Sequence, residues 1–69
     1  MASHYCVNRR SQTNGDHEVH TYTCTYLPAE ENRHYLGVHE SCVTAVSAAR
    51  QSYPTANGCY FCSNYCHTT

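Results

Sequence analysis

His20-Thr21-Tyr22-Thr23-Cys24 near the front of the chain and Cys59-Tyr60-Phe61-Cys62 near its end decide how this sequence is read. As patterns they are HxxxC and CxxC. Together they supply one imidazole and three thiols, the donor set of one tetrahedral zinc. The rest of the chain shows why such a site is needed. Its 69 residues make a single Cys/His-rich domain spanning 1–69, and a domain of that size buries a modest share of its unfolded surface. Large aliphatic side chains are scarce. Leu27 and Leu36 are the only leucines, isoleucine is missing, and Val7, Val19, Val38, Val43 and Val46 form the β-branched apolar set. Tyrosines, Phe61 and alanines fill the remainder. A zinc held only by the folded state contributes about 10 kcal/mol or more, and a disulfide about 2–4 kcal/mol. The six cysteines and six histidines are the expected remedy for a thin core.

Metal or disulfide is a question of compartment. The segment Met1 to Cys6 has neither a positive region nor an apolar stretch of the kind a signal peptide carries. The expectation is a cytoplasmic protein with reduced thiols, in which clustered Cys and His mean metal. Four arginines, no lysine and five acids give a formal charge of −1. Only Arg9 and Arg10 are adjacent, so the basic stripe of a phosphate-neutralising nucleic-acid binder and the polybasic patch of a membrane-surface protein are both missing. Nucleic acid and membrane are therefore not expected as partners. A monomer that meets another protein is.

Along the chain, His4 to Asn8 reads as a strand from its β-forming, alternating side chains. Asn14-Gly15-Asp16 gives the strongest turn signal, and His17 to Thr23 reads as the returning strand. Alternation places Val19, Thr21 and Thr23 on one face and Glu18, His20, Tyr22 and Cys24 on the other. A regular strand would hold His20 and Cys24 about 13 Å apart at ~3.3 Å per residue, too far for one ion, so the chain must bend at Tyr22 to Thr23. Leu27 to Arg33 reads as a polar connection with breakers or a short helical turn at Glu30-Glu31-Asn32. His34 to Val38 is a short extended segment expected to bring Tyr35, Leu36 and Val38 to the core. A helix over about 41–53 follows, with Ser41 as N-cap, Glu40 near its positive end, and Cys42, Ala45, Val46, Ala49 and Tyr53 on one face. Pro54 is expected to end it, and Ala56-Asn57-Gly58 to turn the chain into Cys59.

The metal ligands expected are His20, Cys24, Cys59 and Cys62, with Cys66, His67 and Cys42 as alternates. Two thiolates two residues apart in a tight turn can both face one metal while nearby amides hydrogen-bond the sulfurs. The same spacing makes a redox dithiol in thioredoxin-like proteins, but there the motif follows a strand and opens a helix in a longer fold. Cys42, on the apolar helix face, reads as a small buried hydrophobe, with pairing to Cys66 or ligation as the sharper alternatives. Cys66-His67 offers a replacement for one of the four ligands or part of a second site with His4 or Cys6. Cys6 reads as a packed thiol, and His17, His34 and His39 as ordinary surface or strand histidines. His17-Glu-Val-His20 is HExH rather than the HExxH of zinc proteases, so it does not put two histidines on one helical face. One imidazole and three thiolates close the shell, which fits a structural ion.

The order HxxxC, an extended segment ending in Tyr35-Leu36-Gly37, an Ala-rich helix and CxxC resembles the zinc-binding module of adaptive-response DNA-repair methyltransferases. In that layout His20 stands where the family has its first cysteine. The resemblance implies the zinc; the chain lacks the module's basic surface, and the DNA-repair activity is not carried over. The whole chain also resembles a family of small uncharacterised bacterial proteins marked by NGDHEVH (Asn14 to His20), NRxYLG (Asn32 to Gly37), NGCxxC (Asn57 to Cys62) and a CHT tail (Cys66 to Thr68). That resemblance implies no activity. The expectation is an α+β domain, a β-hairpin or three short strands on one helix, stapled by Zn2+ and acting as a protein-interaction module. The alternatives are a thiol redox protein using Cys59 and Cys62, and a metal-free disulfide-stapled domain.

Overall fold

The computed structural model describes residues 2–68. It is an α+β domain with four strands, β1 (Ser3–Asn8), β2 (His17–Thr21), β3 (Arg33–His39) and β4 (Ala56–Gly58), and one helix, α1 (Cys42–Ala49). The sheet order is β3-β1-β2-β4. β1 runs antiparallel to both β2 and β3, while β2 and β4 run parallel. The hairpin between β1 and β2 turns where the sequence indicates. Gly15 has φ +93°, a region that L side chains seldom enter, and Asn14 Oδ1 accepts from the Asp16 amide.

One sheet face carries the apolar core. Tyr5 and Val7 of β1, Val19 of β2 and Ala56 of β4 meet Cys42, Ala45, Val46 and Ala49 of α1, with Leu36, Tyr53 and Cys66 packed at the margin. The helical periodicity thus marks the buried face correctly, and the Ser41 hydroxyl caps α1 by accepting from the Val43 amide. The helix is shorter than expected. It stops at Ala49, and the chain leaves through turns in which the Gln51 and Ser52 amides reach back three residues, before Tyr53 and Pro54 are met.

Two further expectations are corrected. Tyr35 and Val38 are exposed, at 53% and 55%, and only Leu36 packs on the core. For Val38 the reason is a register shift between the partners of Tyr5 and Cys6: Tyr5 faces Gly37 but Cys6 faces Tyr35, so Leu36 is the extra residue of a bulge, with Gly37 at φ +94°, and Val38 falls opposite His4 on the other face. Tyr35, adjacent to Leu36 and paired with Cys6, lies on the opposite face by plain alternation, where its hydroxyl meets His4 Nδ1 at 2.8 Å and its ring packs against Tyr22. Ala56-Asn57-Gly58 is a strand and not a turn. Its three residues pair with His17, Glu18 and Val19 and are all buried.

Cys42 is not a free thiol. It is bonded to Cys66, joining the start of α1 to the short 3₁₀ turn Asn64–Cys66 after the CxxC. The chain therefore departs from the expectation of reduced thiols throughout. No described helix is long and apolar enough to cross a membrane.

Candidate metal centre

The second sheet face, opposite α1, carries the site. β2 and β4 are parallel neighbours, so both leave the sheet at the same end: β2 runs on from His20 into the HxxxC segment, and β4 runs on from Gly58 into the CxxC. The Cys59 amide donates to the Val19 carbonyl at 3.0 Å, which places Cys59 beside His20 although thirty-nine positions separate them in sequence. The bend required between His20 and Cys24 is present. β2 ends at Thr21, residues 22 and 23 form a turn, and the Cys24 amide donates back to the Thr21 carbonyl at 3.2 Å.

The outcome is a cluster in which one donor atom from each of His20, Cys24, Cys59 and Cys62 lies within 4.8 Å of all the others, an arrangement that could hold a metal ion. Cys24 Sγ is 3.9 Å from Cys59 Sγ, and His20 Nδ1 is 3.9 Å from Cys62 Sγ. His20 and Cys59 are buried, at about 1% exposure each, while Cys24 and Cys62 are half-buried.

Each sulfur is met by a backbone N–H. The Tyr26 amide donates to Cys24 Sγ, the Phe61 amide to Cys59 Sγ and the Thr21 amide to Cys62 Sγ, each at 3.4 Å. The first two form a matched pair, the donor in each case coming from two residues beyond the cysteine. The rings of those donor residues, Tyr26 and Phe61, stack at a centroid distance of 4.3 Å, so the two ligand-bearing loops are also joined on the outside. On the far side of the imidazole, Glu18 Oε1 lies 3.6 Å from His20 Nε2. A carboxylate there would hold the proton on Nε2 when Nδ1 ligates a metal, whereas without a metal an Nδ1–H faces the Cys62 sulfur.

The electrostatics of the thiols are uneven. Burial raises all three, and for Cys24 it prevails over the Tyr26 amide and pushes the thiol up to about 12. Cys59 is raised for the same reason despite its two amide donors. At Cys62 burial is outweighed by the hydrogen bonds from His20 and the Thr21 amide, helped by Cys24 and Ser63, and the thiol falls to about 6. Burial thus favours the protonated form of Cys24 and Cys59, and a bound cation would favour loss of those protons.

The alternates are elsewhere. Cys66 and Cys42 are consumed by their disulfide, and His67 Nδ1 meets the Gly58 carbonyl at 3.0 Å. Cys6 is free and fully buried under the same face, opposite His20 in the sheet, and is not one of the four. His17 meets the Asn8 carbonyl, His34 the Tyr53 hydroxyl and His39 the Thr44 hydroxyl. Glu18 escaped the sequence reading, although its position two residues before His20 on the same strand face was a signal available for it.

Comparison with known proteins finds no similarity: no family model, no curated protein and no solved structure matches the chain.

Proposed function

We propose that this chain is a zinc-stapled domain in which the ion is structural and the outer surface serves protein interaction. The observation that carries the reading is the mutual approach of four soft donors from two separate loops. Sulfurs at ~2.3 Å from one tetrahedral ion lie roughly 3.8 Å apart, and Cys24 and Cys59 are 3.9 Å apart. All four atoms lying within 4.8 Å suits one ion, whereas a two-iron cluster would divide the ligands into two separated pairs. Three thiolates and an imidazole favour zinc among the divalent ions a soft site selects, and four protein ligands fill its tetrahedral shell. Cys24, Cys59 and Cys62 bind as thiolates held by amides, His20 binds through Nδ1, and Glu18 orients it.

Protein interaction is supported by the side chains outside the site. Tyr26, Tyr60, Phe61 and Tyr65 are exposed, and aromatic groups of this kind are enriched where proteins meet.

The deciding experiment is metal analysis of the purified protein beside near-UV circular dichroism with and without chelator. One zinc per chain and loss of tertiary signal on chelation are expected. A protein without zinc that keeps its signal in chelator overturns the proposal.

A further inference from the structure

The two segments that carry the ligands meet at the four donors, and two of those donors face each other as sulfurs. Cys24 Sγ and Cys59 Sγ, at 3.9 Å, are each met by an amide two residues further on in their own loop, Tyr26 for one and Phe61 for the other. Cys62 is held differently. Its sulfur meets His20 Nδ1, the Thr21 amide and the Ser63 hydroxyl, three groups it would have to leave in order to pair. The chain already contains one disulfide, Cys42–Cys66, a few residues from the cluster.

From this geometry we infer that Cys24 and Cys59 are a redox modification site at which a hydroperoxide replaces the metal with a disulfide between the same two loops. The inference rests on the metal reading above and extends it: metal and disulfide become interchangeable staples. One thiolate attacks the outer oxygen of the hydroperoxide. An S–O bond forms, the O–O bond breaks, and the departing oxygen takes a proton to leave as water or an alcohol. The other thiolate attacks the resulting sulfenic sulfur, the S–S bond forms, the S–O bond breaks, and the hydroxide takes a proton and leaves as water. The two sulfurs lose two electrons and the peroxide gains them. His20 and Cys62 alone remain, two donors of four, too few to retain the ion.

The choice of pair has a thermodynamic side. A bridge from 24 to 59 spans thirty-five positions, whereas one within the CxxC closes a very short loop, and longer loops remove more freedom from the unfolded chain. The stack of Tyr26 on Phe61 already holds the two loops side by side. The oxidised chain is therefore expected to stay folded without metal, where the reduced metal-free chain does not.

The test uses the full chain purified without reductant, with its zinc measured first. Hydrogen peroxide is added in the presence of a chromophoric zinc indicator, followed by intact mass, a non-reducing peptide map and near-UV circular dichroism. A parallel sample receives chelator alone. Expected are one zinc released per disulfide formed, a mass lower by about 2 Da for the two hydrogens lost, a Cys24–Cys59 peptide, and a tertiary signal kept after peroxide but lost in chelator. A protein that holds zinc but yields a Cys59–Cys62 peptide, yields sulfinic acids, or loses its fold as zinc leaves overturns the exchange and leaves the metal reading standing. A protein with no zinc before peroxide overturns both.

Discussion

Replacing Gly58 by alanine is expected to cost this domain much of its stability and to weaken the metal site at the same time. A Cβ on Gly58 would stand 2.6 Å from the Ser63 carbonyl oxygen, 2.7 Å from Cys66 Cβ and 2.9 Å from the Cys66 carbonyl carbon. Two of these atoms are backbone and the third belongs to a disulfide, so none can swing aside. Contacts this far inside the usual ~3.5–4.0 Å separation force the chain between Ser63 and Cys66 away from β4. Overpacking of a rigid interior costs about 1–3 kcal/mol, and the upper end applies here. For a domain of this size each kcal/mol moves the melting temperature by roughly 4–8 °C, so a fall of about 12 °C or more is expected. Gly15→Ala is the control: it forces alanine to a φ of +93°, with nothing within 4 Å of the new carbon. It is expected to cost about 1 kcal/mol through backbone conformation alone. Thermal melts of the metal-loaded variants, with metal affinity measured by competition against a chromophoric chelator, separate the two. Gly58→Ala should lose both stability and affinity, because Cys59 follows directly; Gly15→Ala should lose a little stability and no affinity. A Gly58→Ala protein that melts no lower than Gly15→Ala would refute the close approach of β4 to the Ser63–Cys66 turn.

Glu18→Gln removes the charge beside His20 Nε2. At 3.6 Å the contact is long, so the lower end of the usual effect is expected, about a tenfold loss of metal affinity, with little change in the fold; unchanged affinity in the same competition assay would remove Glu18 from the site. Converting Cys42 and Cys66 together to serine opens a loop of separation 24 and should lower stability by about 3 kcal/mol in urea titrations while metal content per chain stays the same. Cys6, raised from 9 to about 11 chiefly by burial, binds its proton more tightly folded than unfolded. Its contribution is fully present below pH 9 and is lost as the pH rises through about 11, so the urea midpoint should fall across that window, and fall less in Cys6→Ala.

The parts of the fold that follow from local chemistry were legible in the sequence. Asn14-Gly15-Asp16 turns as its composition demands, the 3.6-residue spacing of Cys42, Ala45, Val46 and Ala49 identifies the buried helix face, and alternation along β2 sends Val19 to one side and His20 to the other. Even the bend after Thr21 could be required in advance, because the length of an extended residue sets how far apart two ligands lie. The misreadings come from long-range pairing. Nothing local announces that Leu36 is an extra residue opposite β1, and that single bulge is enough to turn Val38 away from the face of Leu36. Likewise Cys42 has the spacing of a core residue, and it is one; that its sulfur meets Cys66 depends on where the chain travels after Gly58.

Strand β4 shows most clearly how the site and the fold depend on each other. Ala-Asn-Gly has low intrinsic preference for extended structure, and its Asn-Gly pair is the strongest short turn signal known from composition. It is a strand nonetheless because its surroundings leave it no alternative. Asn57 is buried, donates to Asp16 Oδ2, and accepts from the amide and hydroxyl of Thr68, while Gly58 has no room for a side chain. The disulfide fixes the segment from one side at Cys66, and the cluster fixes it from the other at Cys59. A parallel strand of three residues is too short to hold itself in place by its ladder, so the staples must position β4. In return, β4 brings the CxxC to His20. The metal centre is accordingly a condition of the sheet's fourth strand as much as a product of it, and removing the staple on either side should be felt first at β4, before the antiparallel pairing of β1 with β2 and β3.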